Sequence, residues 1–260
     1  MVRVKPGLPT SLWPRSLNRW WPILLLVVIN MVITGGSALS HSRVTNDRLL
    51  YYETAKNLAS GKGFTRDVKY DVHSTDEIPP YTVDYRLLYP FLTSLVFRIA
   101  GISINHANLT AAIFKALLVI PIFLLGNELF SRPAGLFAAL LYTLNPAYTE
   151  LGIIAMPATT TAFLYYTCLL FLLHYFQRGG CWRALTAGLF AGLSYLAREE
   201  AVLLLLFGSV VIGARGFRKR DLGMFWLMPV LAFFLHGLHA YSHEGTVVLL
   251  SYGTTPLSRL

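Results

Sequence analysis

Residues 21–40, WPILLLVVINMVITGGSALS, form an apolar run that contains no charged residue. The run has the length that an α-helix needs to cross the hydrocarbon core of a bilayer, about 20 residues. A cleaved signal peptide is the alternative, because small residues near the end of the run imitate a cleavage site. Since the run is longer than a signal-peptide core and further apolar runs follow, we predict an uncleaved first transmembrane helix.

The composition of the whole chain favours the same environment. Hydrophobic residues make up 55% of the chain and charged residues only 13%, with a mean hydropathy of +0.53, whereas soluble domains contain about 25% charged residues. A lone strand in lipid cannot satisfy its backbone polar groups, so each apolar run is predicted to be a helix. We therefore predict an all-α polytopic membrane protein with about seven transmembrane helices, at residues 21–40, 107–126, 133–149, 151–176, 184–197, 201–214 and 222–241.

The basic residues predict the orientation of these helices. The net charge of +9 arises largely from Lys and Arg residues before the first helix and in three later turns, at Arg132, at Arg178 to Arg183 and at Arg215 to Arg220. Basic residues concentrate on the cytoplasmic side of membrane proteins. This distribution predicts a multi-pass protein of the plasma membrane with a cytoplasmic N-terminus, and it argues against nucleic acid as a partner.

The acidic residues are concentrated in one polar region. We interpret residues 1–260 as a single membrane domain. Its membrane helices are accompanied by a first external loop at 41–106 and by the start of a second external segment at 242–260. Two amphipathic surface helices are predicted in the first loop, at 47–60 and 86–100, with an irregular segment at 63–85 between them. The loop holds seven of the thirteen acidic residues, Asp47, Glu53, Asp67, Asp71, Asp76, Glu77 and Asp84.

A charged triplet interrupts the later apolar sequence. Arg198-Glu199-Glu200 separates two apolar runs of about fourteen residues, each too short to cross a bilayer of about 30 Å alone. Ionisable residues inside a membrane protein usually line a wet cavity or pair with each other. We expect the triplet to lie near the external face. Lys115, within a predicted span, is expected either to snorkel or to pair with a neighbour.

Several short motifs resemble one known superfamily. Asn46-Asp47-Arg48 with the following helical pattern, Tyr89-Pro90-Phe91, Leu129 to Arg132, Tyr142 to Pro146, and Gly188 to Glu200 occur in the order and topology of the C-type glycosyltransferases (GT-C). The protein mannosyltransferases and the lipid A aminoarabinose transferases are typical members. The resemblance implies an integral membrane enzyme that uses a polyprenyl-phosphate sugar as donor.

The resemblance also implies roles for particular residues. Asp47 matches the first-loop acid of the superfamily and would be the catalytic base that takes a proton from the acceptor. The alternative is a first-turn acid that only complements the helix dipole. Arg198, and less directly Arg86, would bind the leaving phosphate through guanidinium donors. An ion pair with Glu199 or Glu200 is the structural alternative for Arg198. The remaining candidates for substrate contacts are Glu199, Glu200, His73, Asp76, Glu77, Asp84 and Tyr89.

Cofactors, partners and function follow from the same comparison. A divalent cation bound by the acidic loop is left open, and no metal site is assigned. The expected partners are a polyprenyl-phosphate-linked sugar, the lipid bilayer and a glycan, lipid or protein acceptor. The leading interpretation is a membrane glycosyltransferase acting at the extracytoplasmic face. The alternatives are a non-catalytic subunit or truncated paralogue of that fold, and a transporter or lipid-carrier flippase.

Overall fold

The protein is built almost entirely from α-helices. The computed structural model describes residues 20–40, 46–67, 81–82, 86–216 and 218–244. The helices are α1 Trp21–Ser40, α2 Asn46–Ala59, α3 Leu88–Ala100, α4 Ile104–Leu129, α5 Arg132–Leu144, α6 Pro146–Gly152, α7 Ala158–Arg178, α8 Cys181–Ala197, α9 Val202–Ala214 and α10 Lys219–Glu244. A 3₁₀ turn, Glu199–Ala201, joins α8 to α9.

Four helices in the described part of the chain are long and apolar enough to cross a membrane, namely Trp21–Ser40, Ile104–Leu129, Ala158–Arg178 and Lys219–His239. The other three predicted crossings correspond mainly to α5, α8 and α9, which contain 13, 17 and 13 residues. At 1.5 Å per residue these helices are roughly 20, 26 and 20 Å long. The all-α membrane fold is confirmed, whereas the number of seven crossings is not.

The outer surface of the bundle is apolar. Leu203, Leu206 and Val210 of α9 are 64, 59 and 68% exposed, and Phe137 of α5 is 62% exposed. The outer faces of α1 and α10 also carry exposed Leu and Val side chains. A soluble monomer rarely shows an apolar surface of this extent, whereas lipid covers one in a membrane protein. The protein is therefore an integral membrane protein.

The tightest packing joins α8 to α10. A methyl group added at Gly188 would overlap the backbone carbonyl oxygen of Phe225, and one added at Gly192 would lie 3.1 Å from the carbonyl oxygen of Met228. Small residues at this spacing allow two helix backbones to approach closely. Pro229 lies inside α10 and has no N–H, so the carbonyl of Phe225, four residues earlier, lacks its usual helical donor.

The segment between α1 and α4 packs against the membrane helices through two short helices. The predicted helices at 47–60 and 86–100 are confirmed as α2 and α3, which contact each other, while α3 also contacts α4. In the segment expected to be irregular, strands β1 (Thr65–Arg66) and β2 (Tyr81–Thr82) pair antiparallel. Asn57 of α2 donates hydrogen bonds to Thr65 Oγ1 and Asp67 Oδ1, at 3.3 and 3.1 Å.

Two predicted helices have wrong boundaries because of proline. The predicted helix at 133–149 is divided into α5 and α6 at Asn145, whose side chain accepts a hydrogen bond from the N–H of Ala147 at 3.0 Å. Pro146 disfavours helical geometry at the residue before it, which explains the break. The helix predicted from Leu151 begins only at Ala158, directly after Pro157.

Candidate active site

Arg198 lies between α8 and α9, where the backbone is extended, with φ −155° and ψ 133°. Its N–H donates to the carbonyl of Ser194 at 2.9 Å, and its own carbonyl accepts from the N–H of Ala201 at 3.1 Å. The guanidinium donates twice to Glu200, from Nε to Oε2 at 3.2 Å and from Nη2 to Oε1 at 2.8 Å. The ion pair given above as the structural alternative for Arg198 is present, with Glu200 as its partner.

Two arginines influence the Glu200 carboxylate. The hydrogen bond from Arg198 lowers the pKa of Glu200, partial burial opposes the shift, and the charge of Arg86 lowers the pKa further. Arg86 is distant in sequence from Glu200, and its electrostatic effect agrees with the contact between α3 and α8, which brings this segment towards the turn before α9. The Glu200 side chain is 44% exposed, whereas Glu199 is buried, with 8% exposure. The two adjacent acids therefore face different surroundings.

The Arg198–Glu200 pair borders a cleft of about 410 Å³. The opposite wall is formed by the beginning of α7, through Thr161, Tyr165 and Tyr166. The cleft thus combines a cation, a carboxylate and two tyrosine side chains. The three α7 residues were not predicted, because they lie in a segment that the sequence showed only as an apolar span.

Arg86 is held in an unusual backbone conformation. Among the described residues it is the one non-glycine residue with a positive φ, 56°. Left-handed geometry disfavours residues that carry a Cβ, by about 1–2 kcal/mol, and such strain is concentrated at functional sites. The Nη1 group of Arg86 donates to the Tyr51 hydroxyl at 2.7 Å. This bond fixes the guanidinium against α2.

Tyr89 packs against Tyr51, the residue that accepts the hydrogen bond from Arg86. Its side chain has no exposed surface, and its hydroxyl donates to the carbonyl of Ala107 at 3.0 Å. Its ring packs edge to face against Tyr51, with centroids 5.6 Å apart. Because the side chain is fully enclosed by protein, Tyr89 is not retained as a substrate contact and instead positions Tyr51.

The other loop candidates are less completely described. Asp47 lies in the first turn of α2, one helical turn before Tyr51, but its side chain is outside the described part of the structure. His73, Asp76, Glu77 and Asp84 also lie outside the described residues. Within the described ranges, no group of three or more His, Cys, Asp or Glu side chains is placed to hold a metal ion.

Lys115 is paired rather than snorkelling. The side chain is completely buried in the bundle, and Nζ donates to Asn30 Oδ1 at 3.0 Å, Thr34 Oγ1 at 3.1 Å and Thr149 Oγ1 at 3.3 Å. The Tyr142 ring centroid lies 5.6 Å from Nζ. Neutral oxygens and an aromatic face therefore solvate the amine. Lys115 does not line the cleft beside Arg198.

Comparison with known proteins assigns the chain to a family. Residues 84–239 match the dolichyl-phosphate-mannose–protein mannosyltransferase family. The match includes Arg86, Arg198 and Glu200, and it does not extend to Asp47. No curated protein matches the chain. Since the family match covers more than half of the sequence, the chain belongs to the dolichyl-phosphate-mannose–protein mannosyltransferase family.

Proposed function

We propose that this protein transfers a sugar from a polyprenyl-phosphate donor to an acceptor at the extracytoplasmic face of the membrane. Family membership points to a membrane glycosyltransferase of the GT-C type. The observation that carries the proposal is the Arg198–Glu200 pair at the edge of the cleft, with the charge of Arg86 near enough to lower the pKa of Glu200. Two guanidinium groups beside membrane helices suit the phosphate of a lipid-linked donor.

The reaction requires a base and a site for the leaving phosphate. An acceptor hydroxyl attacks the anomeric carbon, the bond from that carbon to the phosphate oxygen breaks, and polyprenyl phosphate leaves. The acceptor proton passes to a carboxylate, and we assign this role to Asp47. Its place in α2, one turn before the tyrosine that binds Arg86, supports the assignment.

In the proposed complex, Arg198 exchanges its partner. The Arg198–Glu200 ion pair is partly exposed, and exposed pairs contribute little to stability, typically about 0–1 kcal/mol. A donor phosphate therefore competes with Glu200 for the guanidinium at small energetic cost. Tyr165 and Tyr166 offer ring surfaces to the sugar, and Glu200, once displaced, accepts a hydrogen bond from a sugar hydroxyl.

We propose seven membrane crossings, with the N-terminus in the cytoplasm and the protein in the plasma membrane. The exposed apolar faces of α5 and α9 support membrane burial of these shorter helices. This orientation gives the turn at Arg198 and the loop that contains Arg86 the same external face. The division into one membrane domain with two external segments stays a prediction, as do the acceptor and the divalent cation.

A transport function has less support. A transporter or flippase would require Lys115 and Arg198 to form a path of ionisable groups through the bundle. Lys115 is enclosed by its hydrogen-bond partners and does not line the cleft at Arg198. The two groups therefore give no common path in the described structure.

The proposal is tested with the full chain in lipid nanodiscs and a radiolabelled polyprenyl-phosphate mannose. Donor binding is measured separately from sugar release, with water as the surrogate acceptor. Arg198→Gln is expected to weaken donor binding and to lower turnover about 10²-fold, because it removes a preorganised donor to the phosphate. Asp47→Asn is expected to preserve binding and to lower turnover by about 10² or more.

Arg98→Gln is the matched control, since Arg98 belongs to the same external region and does not border the cleft. It should behave as the wild type. Turnover at the wild-type rate in both the Arg198→Gln and the Asp47→Asn variants would refute the assigned mechanism. Absence of donor binding by the folded wild type would refute the donor class itself.

A further inference from the structure

A second polar cleft lies at the opposite end of the helix bundle. Its volume is about 280 Å³, and it is bordered by the turn from α7 to α8 and the turn from α9 to α10. Helix α7 separates the two sites, because Tyr165 lies near its beginning and Arg178 at its end. The full length of α7 is roughly 30 Å. The second cleft is therefore not part of the candidate active site.

Three guanidinium groups line this cleft, those of Arg178, Arg215 and Arg218, against the single carboxylate of Asp221. Asp221 is 1% exposed, and its Oδ2 accepts a hydrogen bond from the Tyr175 hydroxyl at 2.9 Å. The second oxygen of the carboxylate, Asp221 Oδ1, lies 3.9 Å from Arg220 Nε. Among the residues that line the cleft, guanidinium groups therefore outnumber carboxylates three to one. An anion placed in the cleft would balance this excess.

The geometry of the turns holds one guanidinium in place. Arg215 donates from Nη1 to the carbonyl of Phe176 and lies over the Tyr175 ring, 5.8 Å from its centroid. Gly179 has a φ of 67°, and a Cβ at this position would lie 3.0 Å from Arg215 Nε and Nη2. The glycine therefore provides both the left-handed turn and the space that the guanidinium occupies.

We propose that this cleft binds a phosphate group. Arginine forks match phosphate oxygens in geometry and charge, and basic pockets at the ends of membrane helices suit lipid headgroups. The phosphate belongs either to an anionic phospholipid or to a soluble ion, and both present the same oxygens to Arg178, Arg215 and Arg218. The site is independent of the proposed sugar transfer.

The test measures ligand-induced stabilisation of the purified full chain in a neutral detergent. Unfolding is followed with added inorganic phosphate against chloride of equal ionic strength, and with added phosphatidylglycerol against phosphatidylcholine. A ligand that binds only the folded state raises the unfolding midpoint in proportion to its occupancy. If phosphatidylglycerol stabilises the protein and inorganic phosphate does not, the ligand is a lipid headgroup. If inorganic phosphate also stabilises the protein, the cleft binds the free ion. Either result supports the site.

Arg218→Gln should weaken the apparent affinity about tenfold or more, since it removes a charge-assisted hydrogen bond. Arg218 is exposed, so this substitution leaves the fold intact. Lys219→Gln removes one positive charge from the adjacent residue, which does not border the cleft, and should leave the affinity unchanged. Equal affinities for wild type and Arg218→Gln, equal losses in both variants, or no stabilisation of the wild type would each overturn the proposal.

Discussion

Gly188→Ala is expected to destabilise the bundle because the added methyl group has no space. Its Cβ would lie 2.8 Å from the carbonyl carbon and 3.0 Å from the Cα of Phe225, with the carbonyl oxygen closer still. These atoms belong to the backbone and cannot rotate away, so α8 and α10 must separate. Overpacking at the upper end of its usual range, about 3 kcal/mol, exceeds the helix-propensity gain of about 1 kcal/mol. The expected net loss is about 2 kcal/mol.

Two other glycines provide matched comparisons for this substitution. A Cβ at Gly192 would lie 3.1 to 3.2 Å from the backbone of Met228 and Pro229, whereas a Cβ at Gly223 has no neighbour within 4 Å. Gly192→Ala should be nearly neutral, and Gly223→Ala should gain up to about 1 kcal/mol. Reversible unfolding in mixed detergent micelles, followed by tryptophan fluorescence, measures all three variants.

The same variant connects packing to the candidate site. Helix α8 ends at Ala197, immediately before Arg198, so a displaced α8 carries the guanidinium away from the cleft. Donor turnover per folded molecule should fall in Gly188→Ala and not in Gly223→Ala. Equal stabilities for these two variants would refute the steric argument.

Two further results are expected from the buried amine and from the exposed ion pair. Asn30→Leu should lower the free energy of unfolding by about 3 kcal/mol, because it leaves the Lys115 ammonium with fewer acceptors. Adding Lys115→Met should recover part of that loss. Additive losses in a double-mutant cycle measured by denaturation would contradict this expectation. The pKa of Glu200 is lowered from its usual 4.5 by Arg198, so the pair's stabilising effect should be fully present above pH 4.5 and be lost as the pH falls through the lowered pKa. Unfolding of wild type and Glu200→Gln across acidic pH checks the sign, and a difference that instead grows on acidification would refute it.

Helix positions were predictable where the hydrophobic pattern was uninterrupted. The run that became α1 has the predicted boundaries, Trp21–Ser40, because it contains no charged residue and its one proline, Pro22, lies in the first turn, where proline is tolerated. The break at Asn145 was missed, although Asn-Pro is a known pattern for a helix end and a new N-cap. The pairing of β1 with β2 depends on contacts distant in sequence, and local composition does not reveal it.

The candidate site was only partly predictable for a related reason. An ion pair of Arg198 with Glu199 or Glu200 could be predicted, because a charged triplet between two apolar runs requires compensation. The choice of Glu200 could not be predicted from the sequence. Tyr165 and Tyr166 were not predicted either, because which face of α7 borders the cleft is determined by helix packing. Tyr89 was assigned to substrate from its place in an aromatic loop, but burial makes it a support for Tyr51.

Pro229 gives α10 a built-in pivot. The carbonyl of Phe225 faces Gly188 of α8, and it has no helical N–H partner to lose when α10 bends. Bending at this position therefore breaks no backbone hydrogen bond of the helix, whereas bending elsewhere in α10 does. Bending of α10 should therefore concentrate at Pro229, between the contacts of Phe225 with Gly188 and those of Phe233 and His236 with Tyr195 of α8.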